Sequence, residues 1–319
     1  MVRRRLCTLV SNSDTLGWTR ASEVIGPWVW DQLEKQGYAV VESFLKRDAC
    51  KQLRSAIDQL RCDRLVPNAT HFVAGDGSRE LLVKSQIFET ETHVKGILEQ
   101  APCLSLLHND ASLREKINQG MPTLNLQSHS VKLQYNAGKG GCFPMHFDSE
   151  PTVDARVLTA ILYLNEEWVP SNGGQLRLYP FPNHPIDVEP TIGKLVLFSS
   201  RNMLHRVLPS SRERYCITLW LSEAAHDQRN GKPRHPSLKE GSALNSILEN
   251  LEFRRLLAKA VYAQEWADSL VESHPENEGR QLALQKHWKD VDIIKYVFRH
   301  ILPRLEDFKS SKEKRFVWF

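Results

Sequence analysis

Nowhere in the chain do about 18 apolar residues follow one another, so no membrane-spanning helix and no membrane partner are expected. Basic charge does not accumulate either. Lys and Arg number 42 against 38 Asp and Glu, a net charge of +4. That surplus is too small for a dedicated nucleic-acid binder, so no nucleic-acid partner is expected. The six cysteines, at positions 7, 50, 62, 103, 142 and 216, include no Cys-x-x-Cys pair. They read as reduced thiols of a cytoplasmic or nuclear protein, not as a disulfide framework. Cys142 and Cys216 are expected to be small buried hydrophobes. The start Met1-Val-Arg-Arg-Arg-Leu-Cys-Thr-Leu-Val10 has positive charge with no apolar stretch behind it, unlike a secretory signal. Its Arg/Ser bias up to Ser13 leaves an organelle-transit segment as the alternative. Internal repeats and low-complexity tracts are also missing. What remains, 25% charged and 41% hydrophobic over 319 residues, is an ordinary globular composition with room for one large domain plus an accessory.

Periodicity divides the chain into an irregular segment 1–27, a helical and strand support 28–128, a β core 129–223 and a C-terminal helical extension 240–319. Gly37-Tyr-Ala-Val-Val…Phe44-Leu45 reads as a strand and turn. An amphipathic helix follows from about Arg47, with Ala49, Leu53, Ile57 and Leu60 on one face. The stretch 63–92 looks polar and loop-like around Ala74–Ser78, and a helix is expected over about 94–118. From 130 to 222, short alternating segments are punctuated by Gly138–Gly141, Pro170–Gly174 and Pro209–Ser211, the pattern of a barrel or sandwich. After 240 the period is helical again, at Leu244, Ile247, Leu251, Leu257 and Val261, then Ile293, Ile294, Val297 and Ile301. Trp266 and Trp288 are expected in that core. Arg3–Arg5 and Lys309–Arg315 are expected to be solvated tails.

Inside the β region, His146-Phe147-Asp148, His205 and Arg214 form the feature that carries chemistry. On a strand, residues i and i+2 face the same way, so His146 and Asp148 share one interior. A His-x-Asp pair with a distant third His is a facial 2-His-1-carboxylate set, which holds Fe(II) on one side and leaves the other open. Two other His-x-acid matches do not qualify. His108-Asn-Asp110 lies at a helix edge, where i and i+2 diverge by about 200°. His274-Pro-Glu276 sits in a polar linker. On the strand after Arg156, Thr159 and Tyr163 share a face with Val157 and Ile161. On the last strand, Arg214, Cys216, Thr218 and Trp220 share another. If both faces point inward, Arg214 is a buried guanidinium with no carboxylate on its own strand face, and it demands an anion. A dicarboxylate with its tail on Arg214 and its head on a metal meets that demand, because the planar guanidinium grips a carboxylate in two places.

The runs Ile161-Leu-Tyr-Leu-Asn-Glu-Glu-Trp-Val-Pro-Ser-Asn-Gly-Gly-Gln-Leu-Arg-Leu-Tyr-Pro180 and His205-Arg-Val-Leu-Pro-Ser-Ser-Arg-Glu-Arg-Tyr-Cys-Ile-Thr-Leu-Trp220 resemble prolyl hydroxylases of the Fe(II)/2-oxoglutarate dioxygenase superfamily. The likeness is nearest to the oxygen-sensing prolyl hydroxylase branch and extends over about 37–222. It implies an α+β fold with a mainly β core: a double-stranded β-helix, or jelly-roll, of two sheets with helices on one side, flanked by N-terminal helices and the C-terminal extension. It further implies that His146, Asp148 and His205 bind iron. Arg214, helped by the Tyr163 hydroxyl, would hold the distal carboxylate of 2-oxoglutarate. Tyr135 would lie near its keto-acid end, and Thr159 and Trp220 would line the pocket behind. Fe(II), 2-oxoglutarate and O2 are the implied cofactors and cosubstrates, with ascorbate as reductant.

The implied reaction is hydroxylation of a prolyl residue in a protein or peptide, with succinate and CO2 as coproducts. Halogenating relatives lack the carboxylate that this chain keeps as Asp148, which points to hydroxylation. The alternatives are the same chemistry on a free amino acid, another side chain or a small metabolite, or a non-catalytic sensor of iron or 2-oxoglutarate. The substrate contacts are expected from 63–92 and from the segments beyond 222, where the resemblance is weakest. The C-terminal helices are a candidate protein-contact surface.

Overall fold

The computed structural model describes residues 21–73, 79–150, 154–224, 243–308 and 316–319. An opening turn α1 (Ala21–Val24) is followed by α2 (Pro27–Gln36), β1 (Tyr38–Val41) and α3 (Arg47–Leu60). α2 begins with Pro at its first position and ends at Gly37, whose φ of 78° is left-handed and whose N–H donates to the Leu33 carbonyl. α3 buries Ala49, Leu53, Ile57 and Leu60 as its 3.6-residue period requires, together with Cys50 and Ala56.

The stretch read as a polar loop is instead a pair of strands, β2 (Val66–Val73) and β3 (Arg79–Glu91), whose tip at 74–78 lies outside the described residues. Their apolar alternation is masked by buried polar groups. Lys84 is buried and donates to Asn68 Oδ1 and Thr70 Oγ1, while Glu89 pairs with Lys132 at 2.9 Å. The single helix expected over 94–118 is broken into α4 (Ile97–Gln100), α5 (Ser105–Asn109) and α6 (Ser112–Gly120). Pro102 interrupts the first joint, and Asp110 interrupts the second by bonding to the Ser112 N–H.

The β core then runs through β4 (Leu126–Asn136), β5 (Gly141–His146), β6 (Arg156–Tyr163), β7 (Leu176–Tyr179), β8 (Ile186–Val188), β9 (Leu195–Ser199), β10 (Leu204–Ser210) and β11 (Arg214–Glu223). Two antiparallel sheets result. One has seven strands in the order β1-β9-β6-β11-β4-β3-β2, and the other has four in the order β5-β10-β7-β8. This is the double-stranded β-helix expected from the sequence. Among the described residues five helices follow: α7 (Leu244–Glu249), α8 (Leu251–Val261), α9 (Ala263–Ser273), α10 (Glu278–Val297) and α11 (Leu302–Phe308).

Apolar burial organises three layers. Between the sheets lie Ile161, Tyr163, Leu178, Val196, Phe198 and Cys216. The outer face of the large sheet, with Leu133, Leu162 and Ile217, packs on Leu33, Leu53 and Leu113 of the N-terminal helices. The outer face of the small sheet, with Met145, Tyr179 and Leu204, packs on Ile247, Leu257 and Ile294. Helices therefore cover both sheets, where the sequence led us to expect one. The C-terminal extension carries an apolar stripe of its own, and the small sheet presents a second apolar face for it. Each fully buried Leu or Ile in these layers is worth roughly 1.5–3 kcal/mol of removal from water.

The last residues return to the core. Trp318 is buried between the sheets, against Gly37, where a Cβ would lie 2.3 Å from the indole. The tails Arg3–Arg5 and Lys309–Arg315 lie outside the described residues.

Candidate active site

β5 and β10 are neighbours in the small sheet, and their register sets His146 directly opposite His205. The strand period turns both imidazoles inward, while Met145 and Leu204 point out to the helices. The two rings stand 4.3 Å apart, centroid to centroid. Asp148, just past the end of β5, places Oδ1 at 3.4 Å from His146 Nε2 and 3.7 Å from His205 Nε2. One ligand atom from each of the three lies within 4.8 Å of the others.

The surroundings choose which atoms remain available. His146 Nδ1 lies 2.8 Å from the Pro144 carbonyl, and His205 Nδ1 lies 3.0 Å from that of Met203. A carbonyl only accepts, so both Nδ1 atoms carry the proton and both Nε2 lone pairs face Asp148. The Asp148 carboxylate is divided in the same manner. Its Oδ2 accepts from the Thr159 hydroxyl at 2.6 Å and from the Trp220 indole N–H at 3.3 Å, leaving Oδ1 toward the histidines. Thr159 and Trp220 are themselves opposed across β6 and β11. Burial and the neighbouring His146 push His205 down to about 4, against the pull of Asp148, so it is neutral at pH 7. Burial opposes the charge on Asp148, yet His205, His146 and the Thr159 hydroxyl hold its carboxyl well below the usual range. Bare Nε2 atoms beside one carboxylate oxygen fit a divalent first-row metal such as Fe(II).

Arg214 is 1% exposed and lies on the inner face of β11, with its guanidinium 5.0 Å from the Tyr163 ring centroid. Its Nε donates to the Gly174 carbonyl and its Nη1 reaches the Cys216 sulfur. Gly173 and Gly174 make that approach possible: both have left-handed φ, and a Cβ on Gly173 would meet the Pro209 carbonyl at 2.1 Å. No carboxylate among the described residues bonds to Arg214. Its Nη2 and the Tyr163 hydroxyl are both buried without a hydrogen-bond partner there. Burial, opposed by the Arg214 charge, holds the Tyr163 phenol well above its usual value, so it is a neutral donor. A buried guanidinium with an orphaned N–H beside an orphaned phenol fits a carboxylate-bearing cosubstrate.

Tyr135 is not brought to this pocket. Tyr135 pairs with Tyr215 across β4 and β11 and shares the helix-facing side, whereas Gln134 and Asn136 share the face of Cys216 and Arg214. Its hydroxyl donates to Glu213 at 2.6 Å and accepts from Arg61 at 3.1 Å. An interior position would require the strand to shift by one residue. Other contributors escaped the sequence reading. Ser200 bonds the Thr159 hydroxyl at 2.7 Å, and Gln134 accepts from Cys216 at 3.3 Å. Arg255 and Trp266 line the cleft at the ligand set. Only for Ser200 did a signal exist, as a polar residue in a buried apolar run. The two other histidine matches lie elsewhere: His108 bonds the Thr92 hydroxyl and His274 the Ser273 hydroxyl.

Comparison with known proteins agrees with this site. Residues 131–222 match the model of the 2OG-Fe(II) oxygenase superfamily, whose members use Fe(II) and 2-oxoglutarate with O2. Over 199 residues the chain is 38% identical to Egl nine homolog 1 of Mus musculus, an alignment covering 60% of this chain and 48% of that protein. The solved structure of a prolyl 4-hydroxylase from Phytophthora capsici superposes with a TM-score of 0.73 at 29% identity, covering 93% of this chain and 96% of that one. A Trichoplax adhaerens prolyl hydroxylase shares the fold, with a TM-score of 0.54 at 22% identity over 67% of this chain and 94% of its own. The match spans only part of the curated relatives: the first ones are covered over 17% to 46% of their length. Fold and site together are similar to those of the 2OG-Fe(II) oxygenases. Within that superfamily the chain's likeness is to the prolyl 4-hydroxylases.

Proposed function

We propose that this protein is an Fe(II)- and 2-oxoglutarate-dependent dioxygenase that hydroxylates a prolyl residue of a protein or peptide, forming succinate and CO2. The observation that carries the reading is the orphaned Arg214–Tyr163 donor pair, buried in the same interior as the three ligand residues. In this reading His146 and His205 hold the metal through Nε2 and Asp148 holds it through Oδ1. Arg214 and the neutral Tyr163 phenol hold the distal carboxylate of 2-oxoglutarate. The bound metal supplies the redox chemistry that couples decarboxylation of 2-oxoglutarate by O2 to insertion of one oxygen atom into a substrate C–H bond. Thr159 and Trp220 keep Asp148 from turning, and the apolar interior keeps bulk water away from the reacting atoms.

A polypeptide substrate is supported by the cleft beside His146 and Asp148, which has a volume of about 400 Å3 and reaches the surface at the half-exposed Glu150. Support also comes from the relatives, one of which was solved with a peptide fragment. The test is incubation of purified protein with Fe(II), 2-oxoglutarate, O2 and a library of proline-containing peptides. Succinate and peptide mass are read out, with His205→Ala as control. An added oxygen on a prolyl peptide, absent in the variant, is the expected result. Succinate without any modified peptide would move the reading to a small-molecule substrate, and no succinate from folded protein would make it a sensor.

A further inference from the structure

The C-terminal helices take part in the cleft at the metal ligands, although they lie outside the matched residues 131–222. The cleft is walled by Phe147, Glu150, Arg255 and Trp266, beside His146 and Asp148. Arg255 comes from α8 and Trp266 from α9. The wall is anchored to the strand that carries a ligand: the Met145 backbone N–H, one residue before His146, donates to the Ser269 hydroxyl of α9 at 3.0 Å. Trp266 stands 6.4 Å from Phe147, the residue between His146 and Asp148. The cleft therefore has two of the three ligand residues, His146 and Asp148, on one wall and residues of the C-terminal helices on another.

Arg255 is the notable group. Its side chain is 18% exposed, and its guanidinium lies 4.3 Å from the Phe147 ring centroid. A cation held at that depth requires an anion. The carboxylate it meets is that of Glu150 at 2.6 Å, whose side chain is 55% exposed. A half-exposed carboxylate adds little net stability to such a pair and exchanges readily. The other carboxylates of the cleft are committed. Asp154 accepts from the Ser149 hydroxyl and the Arg156 backbone N–H, and Asp148 belongs to the ligand set. Arg255 also reaches the Ser149 carbonyl at 3.5 Å, so it stays in place when Glu150 swings out.

We propose that Arg255 is a specificity-determining residue that takes an acidic side chain of the peptide next to the target proline, displacing Glu150. In this arrangement Phe147 and Trp266 form the apolar wall for the pyrrolidine ring. The proposal rests on the peptide-hydroxylase reading and adds to it a substrate class: prolines flanked by Asp or Glu.

The experiment compares peptides that differ only beside the proline, with Glu, Gln or Lys on either side. The readout is kcat/KM for oxygen addition, with succinate formation measured in parallel. A charge-assisted contact corresponds to a preference of roughly tenfold to a hundredfold. We expect that preference for Glu over Gln on one side of the proline in the wild type and a ratio near one in Arg255→Gln. In Glu150→Gln, which removes the competitor, we expect a sharper preference. Should Arg255→Gln fail to fold, the Glu150→Gln variant carries the test from the surface. An unchanged Glu-to-Gln ratio in both variants would overturn the proposal, as would a preference for Lys that disappears in Glu150→Gln. Succinate production with no peptide modified at all would instead remove the peptide reading, and this subsite with it.

Discussion

Asp148 shows how one residue can be given two jobs. One oxygen is free toward the histidines because the other is held by Thr159 and Trp220. Thr159→Val keeps the shape and removes the donor. We expect it to weaken Mn(II) binding, read by EPR titration, about tenfold to a hundredfold with little loss of thermal stability. Unchanged affinity would mean that the Trp220 N–H suffices. Arg214→Ala should raise the apparent 2-oxoglutarate requirement by roughly tenfold to a hundredfold, because a charge-assisted contact is lost. Steady-state kinetics with varied 2-oxoglutarate checks this, and an unchanged requirement would dismiss Arg214 as the clamp. At this scale most of the site was legible, because His146, Asp148, Thr159, Tyr163 and Arg214 obey a period of two on their strands. Tyr135 was not. Its spacing from His146 runs through the Gly138–Gly141 turn, and one residue of slack there decides which face a side chain takes.

Elements that bury polar groups were the hardest to read. β2 and β3 looked like loop because Lys84, Asn68 and Glu89 interrupt the alternation, yet each has a partner that only the folded sheet supplies, Glu89 through its Oε1 alone. The final tetrapeptide is a similar case. Phe316–Phe319 follows a basic stretch and gives no sign that it docks. In the fold, the Trp318 carbonyl accepts from the Ser199 hydroxyl at 2.9 Å and the Asn202 amide at 2.8 Å. Arg254 stacks on the Trp318 indole at 4.4 Å and donates to the Val317 carbonyl. Ser199 and Asn202 bracket the turn that leads through Met203 to His205, and Ser200 in that turn holds Thr159. Trp318→Ala should therefore cost about 3–5 kcal/mol of stability, measured by chemical denaturation. It should also weaken metal binding under conditions where the variant is still folded. A variant that loses stability but binds metal normally would confine the tail to packing.

Across the whole molecule, two outer apolar layers flank the layer between the sheets, and the candidate site occupies that inner layer. The β-rich middle and the helical ends were visible in the sequence because hydrophobic period depends on local order alone. Which sheet each helical block covers was not visible, since contacts between distant segments leave no periodic mark. That is why the wall made by Arg255 and Trp266 emerged only from the fold. The central claim is that the three ligand residues and the Arg214–Tyr163 pair act as one site for metal and cosubstrate. An anaerobic titration of the purified protein with Fe(II) and then 2-oxoglutarate tests it most directly, through the weak visible charge-transfer band of the chelate. The account predicts a band in the wild type, none in His205→Ala, and a shift to higher 2-oxoglutarate concentration in Arg214→Ala. A folded wild-type protein that gives no band would contradict it.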